Sequence, residues 1–152
     1  MLLSELLSPV RIRVPLGSHT KTDVLRELVN LVADPGNEAN GLAILASVNE
    51  RERVLSTGIG GGIAIPHGKT PHADQLVLAA GVSPNGVEFD ALDGKLVHLF
   101  FLLVGPESAS GAHVKALGRI SRLLRREALR AELIASLSAD AFLSVIQAAE
   151  AS

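Results

Sequence analysis

The sequence contains no cysteine, so disulfides, thiolate catalysis and cysteine-rich metal sites are all excluded, and any nucleophile must be another residue type. It also lacks a long apolar run. The longest, Leu99 to Val104, falls far short of the roughly 20 residues that a membrane helix needs, although the mean hydropathy is +0.34. No excess of one charge stands out either: fourteen Lys and Arg against sixteen Asp and Glu leave a net charge of -2. That balance disfavours a partner held by counterion release from nucleic acid. The basic residues Arg119, Arg122, Arg125, Arg126 and Arg130 have no aromatic interleaving and alternate with Glu127 and Glu132, as the wet face of a helix does. The opening MLLSELLSPVRIRV carries Glu5 inside its apolar stretch and makes a poor signal peptide. Together these features lead us to expect a cytoplasmic protein with neither nucleic-acid partner nor membrane insertion.

What is present is a chain of 152 residues, of which 47% are hydrophobic. That length suits one continuous core, and a single domain over 1–152 is expected. Val10, Ile12 and Val14 alternate with Arg11 and Arg13, which predicts an edge-type strand. Beyond the capping residues Ser18 and Thr20, Val24, Leu25, Leu28, Val29 and Val32 recur at helical spacing until Asp34-Pro35-Gly36-Asn37. A second helix is predicted from about Glu38 to Arg53, with Leu42, Leu45, Ala46 and Val48 apolar. Leu76 to Val82 and Leu96 to Val104 have the composition of interior strands, with a short strand at Val87 and Phe89 between them. The final third is helical in period: His113 to Leu124, Leu129 to Ile134, and Phe142 to Ala149 after a Ser138 cap. The expected fold class is α/β, a mixed central sheet flanked by helices on both faces.

The segment STGIGGGIAIPHGKTPH, Ser56 to His72, is the most unusual, and no regular helix is expected there. Pro66 restricts the backbone on one side of His67 and Gly68 frees it on the other, so the ring can be held with one nitrogen outward. A neutral imidazole is largely unprotonated at neutral pH and can attack phosphorus. Phosphoryl transfer then needs little beyond in-line positioning and charge stabilisation. Amides of Gly58, Gly60, Gly61 and Gly62 are candidates to approach an anion. A plainer account makes His67 a histidine capping a strand beside a turning loop, and the local sequence leaves both open. His113, three residues after Ser110 at an expected helix start, is a second candidate. Its plainer account is a surface histidine in a first turn.

The wording Ser56-Thr57-Gly58-Ile59-Gly60 followed by Gly62-Ile63-Ala64-Ile65-Pro66-His67-Gly68 resembles the phosphorylation-site signature of the fructose, mannitol and nitrogen-regulatory class of enzyme IIA proteins of the bacterial phosphotransferase system. The likeness covers nearly the whole chain, including Phe89-Asp90-Ala91-Leu92-Asp93-Gly94 and the apolar strand after it. It implies the mannitol-type enzyme IIA fold, a phosphohistidine at His67, His113 as second active-site histidine, and Arg51 as the arginine upstream of the loop. Thr57, Gly58, Gly60, Gly62 and Gly68 are the candidate binding residues. The implied donor is the phosphocarrier HPr or its nitrogen-branch counterpart. The implied recipient is a sugar-specific IIB domain or, for a regulatory IIA of the nitrogen type, a target protein that reads the phosphorylation state. The wording is closest to the nitrogen branch, which favours the regulatory use.

The resemblance also implies an apolar partner face, for which Ile59, Ile63 and Pro66 are candidates, though each is equally suited to the core. Arg51 by itself has the look of a helix-end arginine pairing with Glu50 or Glu52. His72 reads as a surface residue, His98 as a satisfied interior one and Lys69 as a solvated loop lysine. Two other classes remain to be weighed: a module that keeps the fold without the chemistry, and a metal-dependent hydrolase using His67, His72 and His113. The hydrolase is short of carboxylates, Asp74 being the one close to the motif, and neither metal nor cofactor is expected. The glycines match neither the Walker order nor the dinucleotide fingerprint, which removes nucleotide binding.

Overall fold

The computed structural model describes residues 1–152. Its centre is a six-stranded mixed sheet built from β1 (Ile12–Arg13), β2 (Gly58–Gly60), β3 (Ile63–Ala64), β4 (His67–Lys69), β5 (Val77–Val87) and β6 (Val97–Gly105). The order is β1-β5-β6-β3-β2, and β4 joins the same edge of β6 as β3. The β5–β6 and β2–β3 pairs are antiparallel, whereas β1–β5, β3–β6 and β4–β6 are parallel. Six helices complete the chain: α1 (Leu3–Leu6), α2 (Lys21–Val32), α3 (Glu38–Val54), α4 (Ser110–Leu123), α5 (Glu127–Ala135) and α6 (Ala139–Ala151).

Both faces of the sheet are covered because β6 is apolar at every second residue on each side. Leu99, Phe101 and Leu103 pack with Ile120, Leu133, Phe142 and Ile146 of α4, α5 and α6. Phe100, Leu102 and Val104 pack with Leu25, Leu28, Ile44 and Val48 of α2 and α3. The expected fold, a mixed sheet between two helical layers, is what the chain adopts.

Several local expectations need correction. The strand expected over Val10 to Val14 shrinks to Ile12–Arg13, because Pro9 opens a 3-10 turn over Pro9–Arg11 that leaves Val10 81% exposed. Thr20, not Ser18, caps α2, its hydroxyl accepting the Asp23 N–H at 3.2 Å. On α3 the buried stripe is Ile44, Val48 and Glu52, while Leu42 is exposed. Val87 ends β5, but Phe89 lies beyond the sheet, its ring packed edge-on against Phe100 at 5.4 Å. The glycine-rich segment, where no regular helix is expected, carries the three short strands β2, β3 and β4. The four-residue α1 is a single turn, too short for a sustained periodic signal in the sequence. No helix is long and apolar enough to cross a membrane.

Candidate active site around His67

Pro66 interrupts the pairing of one strand along β6. Ile63 and Ala64 register with Leu99 and Phe100, and His67, Gly68 and Lys69 resume with Leu103, Val104 and Gly105. Between them the Pro66 carbonyl accepts the Leu103 N–H at 3.0 Å, so the strand bends without leaving the sheet. Period-two alternation turns Ile63, Ile65, His67 and Lys69 towards one face and Gly68 towards the other. A Cβ at Gly68 would lie 3.3 Å from the Val48 nitrogen of α3. The glycine therefore lets α3, with Arg51 on it, lie close against the histidine strand.

The His67 ring is half-buried, and its Nδ1 lies 2.8 Å from the Ile65 carbonyl oxygen. A carbonyl can only accept, so Nδ1 carries the proton and Nε2 keeps the free lone pair. Burial holds the His67 pKa below its ordinary 6.5, the Ile65 carbonyl opposes this, and the Arg51 charge reinforces it. The free nitrogen is thus unprotonated at neutral pH.

His113 sits in the first turn of α4, is only 2% exposed and faces His67 edge-on, with ring centroids 5.7 Å apart. The surface account of this residue fails. Neither of its ring nitrogens has a hydrogen-bond partner. Burial, then the nearby His67 and Lys69, lowers its pKa to about 4, so the ring is neutral. A buried imidazole with unused polar atoms at a helix N-terminus is suited to donate to an anion arriving in front of it.

These rings line a cleft of about 470 Å³ together with Arg51, Lys69, Ser47 and Glu50. Arg51 makes no ion pair with Glu50 or Glu52; its Nη1 donates to the Leu55 carbonyl at 3.0 Å, closing the end of α3. Lys69, set aside in the sequence as a solvated lysine, lies on the cleft wall two residues from His67. The signal available for it was the alternation itself: a residue two positions after a strand histidine shares its face. Val54 and Val114 line the same cleft and are 79% and 65% exposed, giving it an apolar rim. Of the candidate rim residues, Ile63 and Pro66 are buried and Ile59 is exposed.

The structure brings together His67, His113, Arg51 and Gly68, and it does not bring Gly58, Gly60 or Gly62 to them. The β2–β3 turn lies near Leu99, four residues along β6 from the partner of His67, or about 13 Å. There the Gly61 N–H donates to Asp93 at 3.2 Å and the Gly62 carbonyl accepts from His98 and Leu99. The glycines earn their place by geometry: Gly60 and Gly62 have φ of +99° and +79°, and a Cβ at Gly58 would lie 2.9 Å from the Ala91 Cα. Thr57 is buried and committed, its N–H and Oγ1–H both donating to Glu52, at 2.9 and 2.5 Å. His72 is exposed, and His98 is partly buried with Nδ1 3.0 Å from the Ser83 carbonyl. No cluster of metal-ligating side chains forms around His67, His72 and His113, which weighs against the hydrolase alternative.

Comparison with known proteins places the whole chain. The chain is 38% identical over 146 residues to the PTS system fructose-specific EIIABC component of Bacillus subtilis, covering 96% of this chain but only 23% of that one. It is 36% identical over 146 residues to the nitrogen regulatory protein of Bradyrhizobium diazoefficiens, covering 96% of this chain and 95% of the relative. Among solved structures, the nitrogen regulatory protein IIA-Ntr of Neisseria meningitidis superposes with a TM-score of 0.85 at 29% identity, over 95% of this chain and 98% of that one. The mannitol IIA of Escherichia coli shares the fold, with a TM-score of 0.74 at 19% identity. Residues 5–149 match the family described as the phosphoenolpyruvate-dependent sugar phosphotransferase system, EIIA 2. The two-histidine cleft is therefore carried by a phosphotransferase-system EIIA domain, and this chain belongs to the EIIA type 2 family.

Proposed function

We propose that the protein, as one domain over residues 1–152, carries a phosphoryl group on Nε2 of His67 and acts as a regulatory IIA of the nitrogen type. The observation that carries this reading is the 2.8 Å bond from Nδ1 to the Ile65 carbonyl, which leaves the free lone pair of the His67 ring on Nε2, in a cleft shared with a neutral His113. The donor is an HPr-type phosphohistidine protein. In the transfer, the Nε2 lone pair attacks phosphorus in line, the donor's nitrogen–phosphorus bond breaks, and its electron pair returns to the donor imidazole. The Nδ1 proton stays on His67, where the Ile65 carbonyl stabilises the positive charge that develops on the ring. His113 donates to an equatorial oxygen, and Arg51 and Lys69 offset the charge on the others. Gly68 contributes by close approach, whereas Thr57, Gly58, Gly60 and Gly62 hold the scaffold.

The regulatory assignment is supported by relatives called nitrogen regulatory proteins that match this chain end to end at 36% and 35% identity. The transport reading, in which His67 passes the group to a sugar-specific IIB domain, is supported by the fructose-specific relative and by a mannitol IIA solved in complex with phosphorylated IIB. Incubation with phosphoenolpyruvate, enzyme I and HPr tests the shared chemistry. Acid-labile phosphate is expected on the protein and not on a His67→Ala variant; equal labelling of both would refute the assignment. Rapid onward transfer to a fructose-type IIB domain would replace the regulatory reading with the transport one.

A further inference from the structure

Beside the cleft, the chemistry above leaves a buried ionisable group unused. Glu52 continues the buried stripe of α3 after Ile44 and Val48, yet it is a carboxylate, with its side chain only 5% exposed. An apolar residue would suit that position on packing grounds alone, and a charge there is costly unless it is paired and hydrogen-bonded. Lys21, the first residue of α2, pairs with it at 3.0 Å, and Thr57 donates to both carboxylate oxygens.

The chain of contacts does not stop at Thr57. The Thr57 carbonyl accepts the Ile65 N–H at 3.0 Å, and the Ile65 carbonyl accepts from Nδ1 of His67 at 2.8 Å. Each link joins segments far apart in sequence: α2 to α3, α3 to the start of β2, that segment to the residue before Pro66, and thence to the imidazole. Glu52 is also adjacent to Arg51, so fixing Glu52 against Thr57 fixes the helix end from which Arg51 reaches the cleft.

We infer that Glu52 is a positioning residue for His67: through Thr57 it sets the place of the Ile65 carbonyl, and so selects the tautomer with Nδ1–H and a free Nε2. This rests on the phosphohistidine reading, but it concerns the resting ring. The Glu52 charge also acts on His67 itself, favouring the protonated ring. A carboxylate kept only for stability would have no bearing on which nitrogen holds the proton.

Nitrogen NMR of the selectively labelled histidines, at neutral pH and without any phosphoryl donor, tests this independently of function. Wild-type His67 is expected to be almost wholly the Nδ1–H tautomer. In Glu52→Gln, which keeps the volume but removes the charge and one acceptor, and in Thr57→Val, which removes the hydroxyl, the two tautomers should mix, whereas Thr57→Ser should retain the wild-type signature. Phosphoryl transfer from HPr to the first two should slow about 10- to 100-fold while thermal unfolding stays cooperative. Thr57→Val carries the test if Glu52→Gln does not fold. An Nε2–H tautomer in the wild type, or an unchanged tautomer in the folded variants, overturns the inference. Loss of labelling in the wild type with the tautomer as expected would instead overturn the phosphohistidine reading alone.

Discussion

The ring of His113 meets that of His67 edge-on at 5.7 Å and 65°, and it is the more buried of the two. Both imidazoles line the cleft, one with a single free nitrogen and the other, almost wholly buried, with both nitrogens unpartnered. That asymmetry matches the proposed division between an acceptor of the phosphoryl group and a residue that holds its oxygens.

His113→Ala should leave the fold intact and slow phosphorylation of His67 by about 100-fold, the usual cost of removing one preorganised donor to a transferring group. Single-turnover labelling from phosphorylated HPr measures it. A rate equal to the wild type would remove His113 from the site.

The pH dependence of stability has a definite sign. A histidine whose folded pKa lies below its unfolded value of 6.5 binds its proton more readily in the unfolded chain. Its contribution is complete above 6.5 and is lost as the pH falls towards the folded value, about 4 for His113. The urea midpoint should therefore drop between pH 6.5 and 4, and drop less in His113→Gln. Parallel profiles for the two proteins would contradict the buried, neutral state of His113.

Gly58→Ala should destabilise the protein by about 1–3 kcal/mol, since the new Cβ would meet backbone that has no room to move, 2.9 Å away at Ala91. Gly68→Ala should cost less, its nearest contact being 3.3 Å at Val48, but should slow labelling by pushing the His67 strand off α3. Urea denaturation and single-turnover labelling of both variants separate the two effects.

Far from the cleft, Glu150 of α6 accepts the Leu3 and Ser4 N–H groups at 2.7 and 2.9 Å and pairs with Arg119 of α4 at 2.7 Å. Burial by itself would raise its pKa, but Arg119 and the two amides outweigh it and hold the carboxylate below its ordinary range. Glu150→Ala should release α1 and cost about 1–3 kcal/mol, measured by urea denaturation, with labelling of His67 unchanged.

The sequence revealed most of the architecture because the strong signals were periodic ones. Leu99 to Val104 showed an unbroken apolar run within a strand, and Val24 to Val32 a helical stripe. The candidate site residues were singled out by other means: His67 by its motif, and His113 and Arg51 by the family resemblance that the motif carries. What stayed hidden depends on long-range pairing: no local signal shows that Gly60 to Gly62 turn away from His67 to meet Asp93 and His98. Nor could spacing place Lys69 on the cleft wall before His67 was known to begin a strand. Glu52 stayed hidden because a glutamate near a helix end ordinarily marks a wet surface, and only the meeting of α2, α3 and β2 buries this one.

The most direct test is phosphorus and nitrogen NMR of the protein after charging by phosphoenolpyruvate, enzyme I and HPr. The account predicts a single phosphohistidine, at His67, with phosphorus coupled to Nε2 and the Nδ1 proton still present. Phosphate bonded to Nδ1, or carried by another residue, would contradict it.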